Sequence, residues 1–430
     1  MTGQAASSSE PKNRERARTG LAEKLEERSA GVGDVFDKAF NSVELIRADE
    51  ASAVGIYPYF KPVAAQHGGT VTVNDQEMII TGSNDYLGLT QDPRLKDAAR
   101  AALDDYGTSC TGSRFLTGTL VLHEELERRL AGFSGAEAVL TFSTGFLGSL
   151  AVLGALTGRQ DILYFDRENH ASLYDGARLS FGTLRRYRHN DLDHLERLLA
   201  ADAGKPGGRM IVTDGVFSMS GHIADLPGIV GLARKYGARV AVDDAHATGV
   251  LGENGRGTPE HFGLEKEIDL VIGTFSKSFA SVGGFVSGPK AVVDYIKHKA
   301  RPFIFTAALP AMQVAAVLKA LDIMETEPWH REKLWQNVGQ LQSGMRALGF
   351  DTLGSQTQIV PVLIGPDELA VAFWKALWEE GVFTTPAIPP GVPTGQSLIR
   401  TSVNANHTLE QVERLLEAFA AVGKHLGVIG

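Results

Sequence analysis

Lys277 is placed where a lysine amine could do chemistry. It lies in GTFSKSFASVGGF (273–285), between two serines and among small residues, directly after the apolar run DLVIGT. A lysine becomes a nucleophile when its surroundings lower its pKa, and Schiff-base formation with an aldehyde is a standard use. A solvent-facing loop after a strand would look similar, so the reading depends on what accompanies the lysine. Four more apolar runs end in polar residues of complementary kinds. AVLTF (138–142) leads into Ser143, Thr144, Gly145 and Phe146; DILYFD leads to His170; RMIVTDG leads to Ser218; and RVAVDD closes on Asp243 and Asp244 before His246.

Small residues opening a helix present backbone N–H groups without intrahelical partners, a natural seat for phosphate. Two adjacent aspartates could hold a divalent cation, yet no further acidic cluster of ligand spacing lies near them in the sequence. A carboxylate can instead pair with a protonated ring nitrogen. Lysine for an aldehyde, carboxylate for a pyridine nitrogen and an amide-plus-hydroxyl cradle for a phosphate together describe pyridoxal 5′-phosphate (PLP), with no metal required.

The elements that must carry these residues follow from periodicity. The apolar runs alternate with helical stretches such as DLDHLERLLAADAG and LPGIVGLARKYG. That is the rhythm of α/β units around a mostly parallel sheet, whose ligand site lies beyond the carboxyl ends of the strands. Three segments are expected: a tail and entry segment over 1–94, a large cofactor-binding domain over 95–310, and a smaller α+β domain over 311–430 closed by a helix over 408–425. Within the first, TVTVNDQEMII reads as a hairpin turning at Asn74-Asp75, and GLAEKLEERS (20–29) as a short helix.

With 430 residues, 43% of them hydrophobic, the chain can bury a large core. A formal charge of −9 argues against a nucleic-acid partner, and no basic stripe with interleaved aromatics is present. A single cysteine, Cys110, excludes an intrachain disulfide and an all-cysteine metal site, and fits a reducing, cytoplasmic setting. The N-terminal twenty residues lack the apolar core of a secretory signal, and no run of 18 clean apolar residues appears. At most peripheral membrane contact is expected.

The motifs TGSNDYLGLT, GTSCTGSRFLTGT, FSTGF, NHASLYDG, DGVFSM, VDDAHATGVLGENGRG, GTFSKSFASVGGF and RPFIFTAALP, in this order, resemble those of the α-oxoamine synthases. The resemblance runs from about residue 50 to the end. It implies the fold-type-I (aspartate aminotransferase-like) α/β architecture, PLP as cofactor, and a homodimer with active sites at the interface. It makes Lys277 the cofactor lysine and the base at the substrate Cα. Asp243 becomes the partner of the pyridine nitrogen, His246 and Ser218 neighbours of the ring's phenolic oxygen, and His170 the residue stacked on the ring. Gly145, Phe146, Thr274 and Ser276 become phosphate ligands, Thr306 a phosphate contact to the neighbouring subunit, and Arg400 the holder of the amino-acid carboxylate. The implied reaction is a decarboxylating Claisen-type condensation of an amino acid with an acyl thioester.

GTFSKS followed by VGGF, RPFIFTAALP and the terminal GVIG look most like the soluble bacterial serine palmitoyltransferase branch, implying L-serine and a long-chain acyl-CoA. Glycine with acetyl-CoA, alanine with pimeloyl thioester, or a pair using acyl-carrier protein are the alternatives. Outside the family, an aminotransferase or a catalytically silent partner subunit remains, the latter opposed by the retained Lys277. Two departures bear on substrate. Ile388, in AIPPGVP, stands where that branch carries an arginine, and Asp85, in SNDYLG, where it usually carries asparagine. Both are therefore expected at the substrate site, Ile388 within an apolar mouth.

Overall fold

The computed structural model describes residues 34–40 and 42–430; the helix expected over 20–29 lies outside them. The described residues up to Tyr57 belong to a unit of their own, with a helix over Val43–Ala53 whose first turn is capped by Ser42, its hydroxyl accepting from the Leu45 N–H.

From Pro58 on, the first elements are β1 (Ala65–Gln66), β2 (Thr70–Val73) and β3 (Gln76–Ile80). The β2–β3 hairpin turns at Asn74 and Asp75, both with positive φ (50° and 61°), as a two-residue type I′ turn requires.

The main sheet has seven strands: β4 (Ala138–Phe142), β5 (Ile162–Asp166), β6 (Thr183–Tyr187), β7 (Arg209–Asp214), β8 (Arg239–Asp243), β9 (Leu270–Thr274) and β10 (Gly284–Gly288). Their order is β4-β10-β9-β8-β7-β5-β6. The pairs among β6, β5, β7, β8 and β9 are parallel, whereas β10 is antiparallel to both its neighbours. Apolar side chains from the sheet pack against covering helices as two separate clusters, one around Val152, Leu163 and Ile272, the other around Tyr164, Ile211 and Val242. Burial on both sides is why these strands read as unbroken apolar runs rather than alternating ones.

Two strands escaped the periodicity reading, for different reasons. Edge strand β6 (TLRRY) pairs on one side only, so two arginines and a threonine are tolerated. Strand β10 (GFVSG) is buried but begins and ends in glycine.

The C-terminal part contributes β11 (Ile359–Gly365), β12 (Val382–Phe383), β13 (Thr385–Ala387) and β14 (Ser397–Ser402). Three of them form a sheet ordered β11-β14-β13, and β12 instead extends the entry hairpin, pairing parallel with β3. The closing helix, Leu409–His425, starts at Thr408 with a reciprocal Thr408–Gln411 cap. Among the described residues no helix is long and apolar enough to cross a membrane.

Candidate active site

A cavity of about 390 Å³ opens beyond the carboxyl ends of β7, β8 and β9. Lys277, three residues past β9, reaches into it. Its amine is lowered to about 8, because protein atoms crowd it even though water can enter; Asp243 and Asp214 nearby resist the shift. Asp243, the last residue of β8, is buried against the same space and takes the Ala245 N–H on Oδ1 (3.2 Å). Burial pushes its carboxyl up, and the charges of Lys277 and His170 pull it back.

On the opposite wall the helix Gly145–Leu156 begins. The Thr144 hydroxyl caps it by accepting from Leu147 N–H (3.2 Å), while the N–H groups of Gly145 and Phe146 have no intrahelical acceptor. A Cβ at Gly145 would lie 2.9 Å from the Thr274 side chain, and one at Gly284 would lie 2.4 Å from Gly145 Cα. Gly283 has φ +120°, and a Cβ there would meet the Phe275 ring at 2.8 Å. These glycines bring β10, the helix start and the Thr274–Ser276 turn together. Thr274 Oγ1 donates to the Gly283 carbonyl (3.1 Å) and lies 2.9 Å from Ser276 Oγ. Hydroxyls and free N–H groups thus face one another across a pocket that no side chain fills.

His170 caps the helix Ala171–Leu179. Its Nδ1 accepts from Ser172 N–H (3.2 Å), leaving the ring proton on Nε2, and the ring borders the cavity. His246 is buried, and burial, then the charges of Lys277 and Arg400, hold it well below the ordinary histidine value. Its Nδ1 lies 2.7 Å from the Tyr86 hydroxyl.

Arg400, on β14, is fixed from two elements. Its Nε donates to the Ser218 carbonyl (2.7 Å), and one terminal nitrogen donates to Asn84 Oδ1 (3.0 Å) and to the Tyr86 hydroxyl (3.3 Å). Among the described residues it has no carboxylate partner within ion-pair distance. Ser218 thus meets the site through its carbonyl.

Five expected residues do not line this cavity: Ser218 and Arg400, just described, and Thr306, Asp85 and Ile388. Thr306 lines a separate small cavity with Arg114, Ser143 and Phe303. Asp85 directs both carboxylate oxygens at the following turn, accepting from Leu89 N–H (2.9 Å) and Thr90 N–H (3.2 Å), and does not line the cavity. Ile388 packs half-buried against the larger hydrophobic core, so it forms no part of the cavity wall around Lys277. Asp85 and Ile388 thus share with Arg400 a place outside the lining of the Lys277 cavity.

Asn84, Tyr86 and Asp214 were not singled out in the sequence, although SNDYLG and the strand end TDG both were. Asp214 is buried in register with Asp243 on the neighbouring strand and accepts the His170 N–H on Oδ1 (3.1 Å). Asp244, beside Asp243, takes Thr258 N–H (3.0 Å) and the Thr258 hydroxyl, and is a structural cap, not a metal ligand.

An amine lowered toward neutrality, a buried carboxylate opposite it and a glycine-lined anion cradle fit PLP, and define a PLP-dependent enzyme of fold type I. The comparisons agree. Residues 76–419 match the family model for aminotransferase class I and II. The chain is 47% identical over 388 residues to a serine palmitoyltransferase of Bacteriovorax stolpii, covering 90% of this chain and 92% of that one. It is 43% identical over 383 residues to an 8-amino-7-oxononanoate synthase of Thermoanaerobacter pseudethanolicus (89% and 97%). The solved serine palmitoyltransferase of Sphingomonas wittichii superposes with a TM-score of 0.89 at 35% identity, over 93% of this chain and all of that one. The chain belongs to the α-oxoamine synthase family, the PLP-dependent acyltransferases that condense an amino acid with an acyl-CoA.

Proposed function

We propose that the protein condenses L-serine with palmitoyl-CoA, releasing CoA and CO2 and leaving 3-ketodihydrosphingosine. The observation that carries this reading is the pairing of similarity to serine palmitoyltransferases along nine-tenths of the chain, in sequence and in fold, with an Arg400 guanidinium aimed by Ser218, Asn84 and Tyr86 and lacking a carboxylate partner among the described residues.

PLP, when bound, supplies an electron sink for a carbanion at the substrate Cα. Gly145, Phe146, Thr274 and Ser276 would hold its phosphate, and Asp243 its pyridine nitrogen. Asp243 must be ionised for that, and Lys277 favours the ionised form. His170 would cover one face of the ring, and His246, held neutral, would lie with Tyr86 at its polar edge. Lys277 is matched to two duties. An amine with a pKa of about 8 is unprotonated in a far larger fraction at neutral pH than an ordinary lysine, so it can react with an aldehyde and can take and return the Cα proton. Arg400 would hold the serine carboxylate until it leaves as CO2. The new C–C bond joins the serine Cα to the acyl carbon, and the CoA thiolate departs.

The position of Thr306, away from the Lys277 cavity of its own chain, supports a homodimer in which it serves the neighbouring site. The test is a matrix of amino acids against acyl-CoA and acyl-carrier-protein donors, following thiol release. Serine with a palmitoyl-length CoA should give the highest kcat/KM. A preference for alanine with a pimeloyl thioester, or glycine with acetyl-CoA, would replace the substrate pair and leave the reaction class standing.

A further inference from the structure

Beyond the ends of β5 and β6, two histidines meet away from the Lys277 cavity. His189 Nε2 and His222 Nδ1 are 2.9 Å apart. The ring planes are within 15° of parallel and the centroids 5.1 Å apart, so the short nitrogen–nitrogen distance puts both nitrogens on the line joining the rings. Each outer nitrogen faces a group that only accepts. His189 Nδ1 is 3.0 Å from Asp166 Oδ1, and His222 Nε2 is 2.7 Å from the Leu353 carbonyl. The Asp166 carboxylate also accepts from Glu168 N–H (2.9 Å) and Asn190 N–H (2.9 Å), which fixes it as an acceptor.

Proton counting then decides the charge. Both outer nitrogens must carry hydrogen, and the inner contact needs one more, since two facing lone pairs would repel. Three protons on four ring nitrogens make one of the two rings an imidazolium. Glu168, whose Oε2 is 3.6 Å from His189 Nε2, completes a trio of potential metal ligands; a cation on the axis of the two facing lone pairs would lie at half of 2.9 Å from each nitrogen, and one at bonding distance from both would sit off that axis. A zinc–imidazole bond needs roughly 2.0–2.1 Å.

The crossing supports the loop that aims Arg400. Residues 216–223 form a tight loop, closed by the Val216–Ile223 bridge and by Phe217 N–H to the His222 carbonyl (2.9 Å). Ser218, whose carbonyl holds Arg400, lies within it. The His189 ring packs edge-on against Phe217 (4.4 Å between centroids), and His222 ties the loop to Leu353, before β11.

We propose that His189 and His222 share one extra proton and act as positioning residues, pinning the 216–223 loop to the C-terminal part and so fixing Arg400 for the substrate carboxylate. The link to substrate rests on the reading of Arg400 given above; the shared proton does not. The charged groups facing the pair are Asp166 and Glu168; Asp351, on the C-terminal side, turns its carboxylate onto the Leu353 N–H (2.8 Å). Burial alone would lower His189, and the two carboxylates more than reverse it, so it lies above the ordinary 6.5. The shared proton is therefore held below pH 6.5, and its contribution is lost as pH rises through the raised folded value.

The test uses holoenzyme labelled with ¹⁵N-histidine, with His222→Gln and His222→Leu. Gln can accept from His189 and donate to Leu353, and Leu can do neither. Below the folded pKa, the ring resonances assigned to the pair should show three ring protons. Amino-acid KM should rise about 3- to 10-fold in wild type as the proton leaves, with kcat nearly unchanged. His222→Leu should have the raised KM at every pH, and His222→Gln should restore the low one. Two neutral rings, or stoichiometric tightly bound metal, would overturn the shared proton. Three ring protons with wild-type KM and pH profile in His222→Leu would overturn the positioning role. If Arg400→Ala also leaves KM unchanged, the fault lies with the Arg400 reading instead.

Discussion

Two groups of partly buried titratable side chains lie beyond the carboxyl ends of the same sheet, and they differ in how their hydrogen bonds close. In the His189–His222 crossing each nitrogen has a protein partner from Asp166 to Leu353. Around the cavity, Lys277 and the start of the helix Gly145–Leu156 direct donors at open space, and Arg400 is held by neutral acceptors, with no carboxylate partner among the described residues. Buried polar groups in folded proteins are nearly always paired. A set left open on one side, next to a set closed on every side, marks where a ligand completes the network. Closed sets hold geometry; open sets carry chemistry.

The sharpest way to break this contrast is at Lys277. Lys277→Ala should abolish the visible absorption of bound cofactor and lower kcat/KM at least ~10³-fold, since both nucleophile and base are lost. Unchanged absorption would place the reactive amine elsewhere. Asp243→Asn comes next. It keeps the shape of the strand end but removes the charge, and should lower kcat by roughly 10²-fold with little change in Tm. Arg400→Ala should raise the amino-acid KM roughly 10- to 100-fold, the loss expected for a charged hydrogen-bonded contact of roughly 1.5–3 kcal/mol. An unchanged KM for serine would remove Arg400 from the substrate site.

Much of the fold and of the candidate catalytic group is legible because strand ends and their polar residues are local in sequence. RVAVDD and DLVIGTFSK carry their chemistry within a few residues of the strand that aims it. What was not legible is which polar residue is already occupied. Asp243 and Asp244 are neighbours of the same type, and only the return of the chain at Thr258 makes the second a cap. Within SNDYLG the aspartate drew notice for its chemistry. Its neighbours Asn84 and Tyr86 hold Arg400, more than 300 positions away. Ile388 is expected at an apolar mouth, and its half-buried packing against the core depends on long-range contacts that no local pattern encodes.

Asp244 offers a test on the closed side. Burial raises its carboxyl from 3.8 to about 7, opposed by its Thr258 bonds. A group with a raised folded pKa stabilises most below its unfolded value and loses that contribution as pH rises through the folded one. Wild type should therefore lose stability relative to Asp244→Asn between about pH 4 and pH 7, by about 4 kcal/mol, since each pKa unit is about 1.36 kcal/mol. Thermal unfolding of both proteins across that range measures it, and parallel curves would mean that Asp244 stays ionised throughout.

The smallest effect belongs to Asp85, and it separates the two kinds of site most cleanly. Asp85→Asn keeps one carbonyl oxygen for the turn and loses the other, so either Leu89 N–H or Thr90 N–H loses its acceptor. One such bond contributes roughly 0.5–1.5 kcal/mol, which should appear as a modest fall in Tm. Because both Asp85 carboxylate oxygens are taken by N–H groups of the following turn, serine KM should stay within about 2-fold of wild type, an interaction change of under about 0.5 kcal/mol. The reverse pattern, an unchanged Tm with an altered KM, would mean that the carboxylate faces substrate and that the turn holds without it.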